Sequence, residues 1–168
     1  MKRYLSGVAV AIALTFSSPA ISQEADFLKS VAGNWTGDGT VKVRTNSSPV
    51  NVTCEFKSGS TETSLSLNGN CRGLLIVSRA IRADLKIDGG KYSGSYVGAG
   101  TGTAGLSGNR NGNTINLGIR WAKEVNGDRR AQMRIQKVGN QGMRLTTVDT
   151  DPTTGKSVVT SQINLRRQ

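Results

Sequence analysis

From Thr40 to the C-terminus the chain changes sides at almost every residue, and this period of two most restricts its fold. Ile115, Leu117, Ile119 and Trp121 share one side of a segment whose other side carries Asn116, Gly118 and Arg120. Met133 with Ile135, Met143 with Leu145, and Val159 with Ile163 and Leu165 mark three further segments of the same kind. Side chains alternate in this way on a strand, whereas a helix repeats every 3.6 residues. Turn-forming clusters separate the segments: Asn46-Ser47-Ser48-Pro49, Asp88-Gly89-Gly90, Asn111-Gly112, Asn126-Gly127-Asp128, Asn140-Gln141-Gly142 and Asp151-Pro152-Thr153-Thr154-Gly155. Asn and Gly supply the positive φ angles of tight hairpins, and Pro pre-sets its own φ. The pattern predicts an all-β fold of eight to ten antiparallel strands, joined mostly hairpin to hairpin.

A meander of that size must hide its two edges, and rolling into an up-and-down β-barrel does so. A two-sheet β-sandwich is the alternative. The connections look too short for a Greek-key crossover. Many of the 21 glycines are also expected inside strands, notably Gly94, Gly98, Gly100, Gly102, Gly105 and Gly108, where they would relieve strain in a sharply bent sheet. An outer-membrane barrel is not expected. The outward positions carry Arg120, Arg134, Gln136 and Arg144, and the aromatic girdles of such barrels are missing.

The first 22 residues read differently. Lys2 and Arg3 precede a short apolar run, Val8 to Phe16, and then small residues around a proline. This is the layout of a secretory signal peptide, with cleavage expected before Gln23. A membrane anchor is the alternative, but the run falls short of the ~20 residues a span needs. Residues 23–168 would then form one domain, exported to the periplasm or secreted. Loss of Lys2 and Arg3 leaves 20 basic against 11 acidic residues, a net charge of +9. Such an excess favours polyanions. The charges are scattered singly, which argues against nucleic acid and towards an anionic envelope component, or towards a solvated surface with no target. Arg120, Arg134 and Arg144, on polar faces of successive strands, would form a basic stripe on the outer wall.

Cys54 and Cys71 would meet an oxidising compartment. Val50, Val52, Cys54 and Phe56 alternate with polar residues, as do Leu65, Leu67, Gly69 and Cys71, so both cysteines fall on apolar faces. A hairpin turning near Thr61–Thr63 would set them opposite each other and allow a disulfide. Closing a loop of this size stabilises by roughly 3 kcal/mol in the chain-entropy description. A free catalytic thiol is the weaker alternative, because no histidine is present to activate it.

Ahead of the strands, Ala25 to Ala32 reads as one or two helical turns with Phe27, Leu28 and Val31 on one side. Gly33-Asn34-Trp35 follows, then Gly37 and Gly39. A short helix, Gly-x-Trp at the first strand and an antiparallel meander together resemble the calycins, the lipocalins and fatty-acid-binding proteins with their bacterial barrel relatives. The resemblance implies that an arginine late in the last strand, Arg166 or Arg167, packs over Trp35. It also implies a ligand-binding barrel. Read on its own chemistry, Trp35 is a large apolar plug with one N–H to satisfy, either core or pocket wall.

The chemistry present is sparse. Without histidine the chain lacks the commonest general base and metal ligand. Asp149-Thr150-Asp151 offers oxygen ligands but not the remaining acidic positions of a calcium loop, and a hairpin turn explains it better. Gly98-Ala99-Gly100-Thr101-Gly102 resembles a phosphate loop only in composition, because no helix follows it. No metal or cofactor is implied, and an enzyme is not expected. The expectation is an exported, soluble, non-enzymatic binding protein for a small apolar or amphipathic ligand, with Trp35, Phe56, Tyr92, Tyr96 and Trp121 as candidate pocket residues. The alternative is an interaction or inhibitor module acting through its basic outer surface. An apolar cavity of ~300 Å³ or more would favour the first, a filled barrel the second.

Overall fold

The computed structural model describes residues 19–73 and 77–168. Most of the expected signal peptide, residues 1–18, lies outside the described residues. Helix α1 (Pro19–Val31) starts earlier than the sequence pattern suggested and runs across the expected cleavage position. Ten strands follow: β1 (Gly33–Val41), β2 (Val50–Ser60), β3 (Ser64–Gly73), β4 (Val77–Asp88), β5 (Lys91–Val97), β6 (Ala104–Asn111), β7 (Thr114–Val125), β8 (Asp128–Val138), β9 (Gly142–Thr150) and β10 (Ser157–Arg167). Each pairs antiparallel with the next, and β1 pairs with β10 to close a barrel. Ten strands is the upper end of the expected range, and the sandwich is set aside.

Alternation does what it predicts. Along β7, Ile115, Leu117, Ile119 and Trp121 are buried, while Gly118 and Arg120 are exposed. Several hairpins sit where the turn clusters placed them. Asn126 and Gly127, with φ of 53° and 91°, link β7 to β8, as the primed turns that match strand twist require. Two expectations need correction. Gly98, Gly100 and Gly102 belong to the loop 98–103 between β5 and β6, not to a strand; only Gly94, Gly105 and Gly108 lie within strands. Val159 faces outward, 47% exposed. A bulge between Val159 and Ser161 inserts one residue into β10, breaks the parity and turns Thr160 inward.

Cys54 and Cys71 are direct cross-strand partners on β2 and β3, joined by a disulfide across a Cα separation of 4.1 Å. Across the seam, β1 and β10 approach closely. A Cβ on Gly37 would collide with the carbonyl oxygen of Asn164.

One arginine locks α1 onto this seam. Helix C-termini leave carbonyls without partners. Here Arg167 Nη2 donates to Ser30 O at 2.8 Å, Arg167 Nη1 donates to Ala32 O at 2.5 Å, and Trp35 Nε1 donates to Val31 O at 3.1 Å. The guanidinium also lies 4.4 Å from the centre of the Trp35 ring, within cation–π range. Gly33, at φ 135°, leaves the room: a Cβ there would strike Arg167 Nη1. Near the middle of α1, Glu24 accepts from Arg110 on β6, with Nη2–Oε2 at 2.9 Å, and from the Tyr92 hydroxyl on β5. Arg110 also lies 4.8 Å from the centre of the Phe27 ring.

Charged hydrogen bonds and a cation–π contact together predict that Arg167→Ala lowers unfolding free energy by about 2–4 kcal/mol. The exposed neighbour makes the control: Arg166→Ala should stay within about 0.5 kcal/mol of the parent. Urea midpoints measured on the two variants check this, and equal losses would show that the stacked arginine is not special.

Candidate functional site

The barrel has unlike ends. Beneath α1 the interior is packed by Leu28, Val31, Trp35, Leu65 and Leu85, each at most 2% exposed. An eight-stranded barrel is just wide enough to be filled by its own side chains, and ten strands enclose more. The surplus appears at the opposite end. There the end of β1, the start of β2 and the ends of β7 and β9 surround an open, mostly apolar cavity of ≈260 Å³. That is just below the ~300 Å³ at which small-molecule sites usually begin.

Val50, Val52, Ile81 and Ile163 supply apolar wall, and Val43, 78% exposed, stands at the rim. Tyr96 and Trp121 form an aromatic corner, with ring centres 5.9 Å apart and planes at 58°. Burial pushes the Tyr96 hydroxyl up to about 12, so it remains a neutral phenol. Lys42 and Arg79 also line the cavity, and Arg79 reaches Gly98 O on the β5–β6 loop at 3.4 Å.

One acidic group lies in this wall. Asp149 is 4% exposed, and its Oδ2 accepts from the hydroxyl of Thr160, the residue the bulge turned inward. Its Oδ1 has no hydrogen-bond partner, and neither has Trp121 Nε1. Burial raises the Asp149 pKa above the ordinary aspartate value; the Thr160 hydrogen bond, and weaker polar contacts from the Asn126 amide and the Trp121 N–H that fall short of good hydrogen-bond geometry, oppose that rise without cancelling it. Asp151, two residues on, does a different job. Its carboxylate accepts from Thr154 N at 2.8 Å and Thr45 Oγ1 at 2.8 Å, holding the β9–β10 turn against the β1–β2 loop. The two carboxylates of Asp149-Thr150-Asp151 therefore do not converge on one point.

The five candidate pocket residues fall into two groups. Tyr96 and Trp121 line the cavity. Trp35, Phe56 and Tyr92 do not: Trp35 and Phe56 are cross-strand partners in the buried core, and Tyr92 is tied to Glu24 beneath α1. The three surface arginines are not level with one another either. Arg120 stands opposite Arg130, Arg134 lies between Asn116 and Thr146, and Arg144 donates to Asn164 Oδ1 at 2.8 Å. Asp149 was missed as a cavity residue although parity carries the signal: counting by twos from buried Met143 turns it inward. Thr160 had no such signal, because a bulge cannot be read from alternation.

The fold is similar to that in the crystal structure of Rv2717c from M. tuberculosis. The TM-score is 0.66 at 15% identity, covering 90% of this chain and 98% of that one. The likeness is one of fold. No family model matches the chain, and no curated protein matches it in sequence.

The Asp149 carboxyl binds its proton more tightly in the folded state than in the unfolded chain. Its charged form therefore destabilises the fold above its raised pKa, and the cost disappears as pH falls towards the ordinary value of 3.8. Asp149→Asn should raise the thermal midpoint at pH 7 and lose that advantage near pH 3. Melting curves across this range check it; an advantage that grew on acidification would have the wrong sign.

Proposed function

We propose that the protein is an exported, non-enzymatic binding protein whose open barrel end takes a small apolar or amphipathic ligand. The observation that carries this is the unfilled apolar cavity opposite the plugged end, with an exposed valine at its rim. Catalysis is the poorer account of the same residues. The chain has no histidine, and the carboxylates nearest the cavity, Asp149 and Asp151, point to separate tasks. The calycin resemblance gains support from the stacking of Arg167 on Trp35 and from the closed barrel. Export agrees with the disulfide and with the leader-like first 22 residues. Among the described residues no helix is long and apolar enough to cross a membrane.

The fluorophore N-phenyl-1-naphthylamine, which brightens on leaving water, provides the test. Its emission should rise with the parent protein and stay low with Val52→Trp, which fills the cavity from its wall. No rise, or a rise that the filled variant keeps, counts against the cavity as a binding site.

A specific observation favours a second role for the outer wall. Arg120 and Arg130 face each other across β7 and β8, in a groove that also holds Ser107, Gln132, Thr150 and Ser157. Like charges placed directly opposite are unfavourable in a sheet. Among the described residues the only ion pairs are Arg82–Asp84 and Arg110–Glu24, so neither arginine has an acidic partner. An anionic envelope component would relieve that repulsion. Anionic vesicles should bind the protein at low salt, release it at high salt, and ignore an Arg120→Glu, Arg130→Glu variant. Equal binding to neutral and anionic vesicles would rule this out.

A further inference from the structure

We infer that the cavity is built for a small apolar molecule carrying one hydroxyl group, held between Trp121 Nε1 and Asp149 Oδ1. This deepens the cavity reading and rests on it. Both atoms belong to residues of the cavity wall, both are buried, and neither makes a hydrogen bond of good geometry, although Trp121 and the Asn126 amide lie close enough to Asp149 to hold down its pKa. Leaving such groups unmet inside a protein is costly, and most buried polar atoms are paired. Two in one cavity wall therefore specify what should come between them.

Their chemistry narrows the choice. An indole N–H can only donate, and an ionised carboxylate can only accept. A hydroxyl does both at one atom: its lone pair accepts from Trp121 while its proton is donated to Asp149. A ligand carboxylate would accept from the indole but bring its charge against Asp149. A carbonyl or ether oxygen would leave Asp149 unmet. An ammonium group would leave Trp121 unmet and would enter past Lys42 and Arg79. Thr160, bonded to Oδ2, holds the carboxylate so that Oδ1 is the free oxygen. Val50, Val52, Ile81 and Ile163 then receive the hydrocarbon body.

The competing arrangement is that Trp121 and Asp149 close on each other and need nothing between them. Displacement of N-phenyl-1-naphthylamine from the full chain by 1-octanol, octane and octanoate separates the two. In the parent protein 1-octanol should compete at least about tenfold better than octanoate. Asp149→Leu should weaken 1-octanol by about tenfold relative to octane, the scale of one unmet buried group. Trp121→Phe should act in the same direction, and the octanol-to-octanoate comparison needs no variant at all. If 1-octanol and octane change by the same factor in both variants, the two atoms satisfy each other and the inference is overturned. Preference for octanoate overturns it too. Either result leaves cavity binding intact, whereas failure of the fluorophore to bind removes both.

Discussion

The Arg167 guanidinium is where helix, first strand and last strand meet. It donates to two carbonyls at the end of α1, lies over the ring of the first-strand tryptophan, and belongs to the last residue of β10. A helix terminus, an aromatic face and a delocalised cation are each poorly satisfied alone, and the planar fork of an arginine suits all three at once. Gly33 is part of the same arrangement, since any side chain there would occupy the place of the guanidinium. This corner decides which end of the barrel is closed.

The remaining asymmetry follows. With α1 fixed over one end, its apolar side supplies the filling that ten strands require there, and among the described residues no equivalent element caps the other. Polar residues accumulate where the packing stops: Thr147, Asp149, Thr160 and Ser161 all border the cavity. Burial sets the behaviour of its ionisable groups, raising both Tyr96 and Asp149. Glu24, under the helix, shows the opposite balance. Burial pushes its pKa up, but the bonds from Arg110 and Tyr92 outweigh that and hold it low. One carboxylate is paired and structural; the other is left partly unmet beside empty space.

Much of this barrel was legible in the chain because its information is local. Alternation fixed which way Cys54, Cys71, Ile115 and Trp121 face, and the turn clusters gave their pairing, disulfide included. The calycin-like opening pointed to an arginine over Trp35, leaving only the choice between Arg166 and Arg167 to geometry. What stayed hidden depends on position along the barrel axis. Aromatic residues share the inward face whether they sit beneath the helix, as Trp35 and Tyr92 do, or at the open mouth, as Tyr96 and Trp121 do. Parity cannot tell depth. Nor can it show an inserted residue, so Thr160 looked outward and Val159 inward until the bulge reversed them.

Nine of the ten strand pairings join neighbours in sequence, and only β1 with β10 spans the whole domain. Hairpins close short loops quickly, but this last pairing must gather the two ends of the chain against a far larger entropy. The contacts that reward it come from the last strand, Ser161 to Arg167. A chain that emerges N-terminus first thus holds a row of finished hairpins that cannot roll up until β10 is in place.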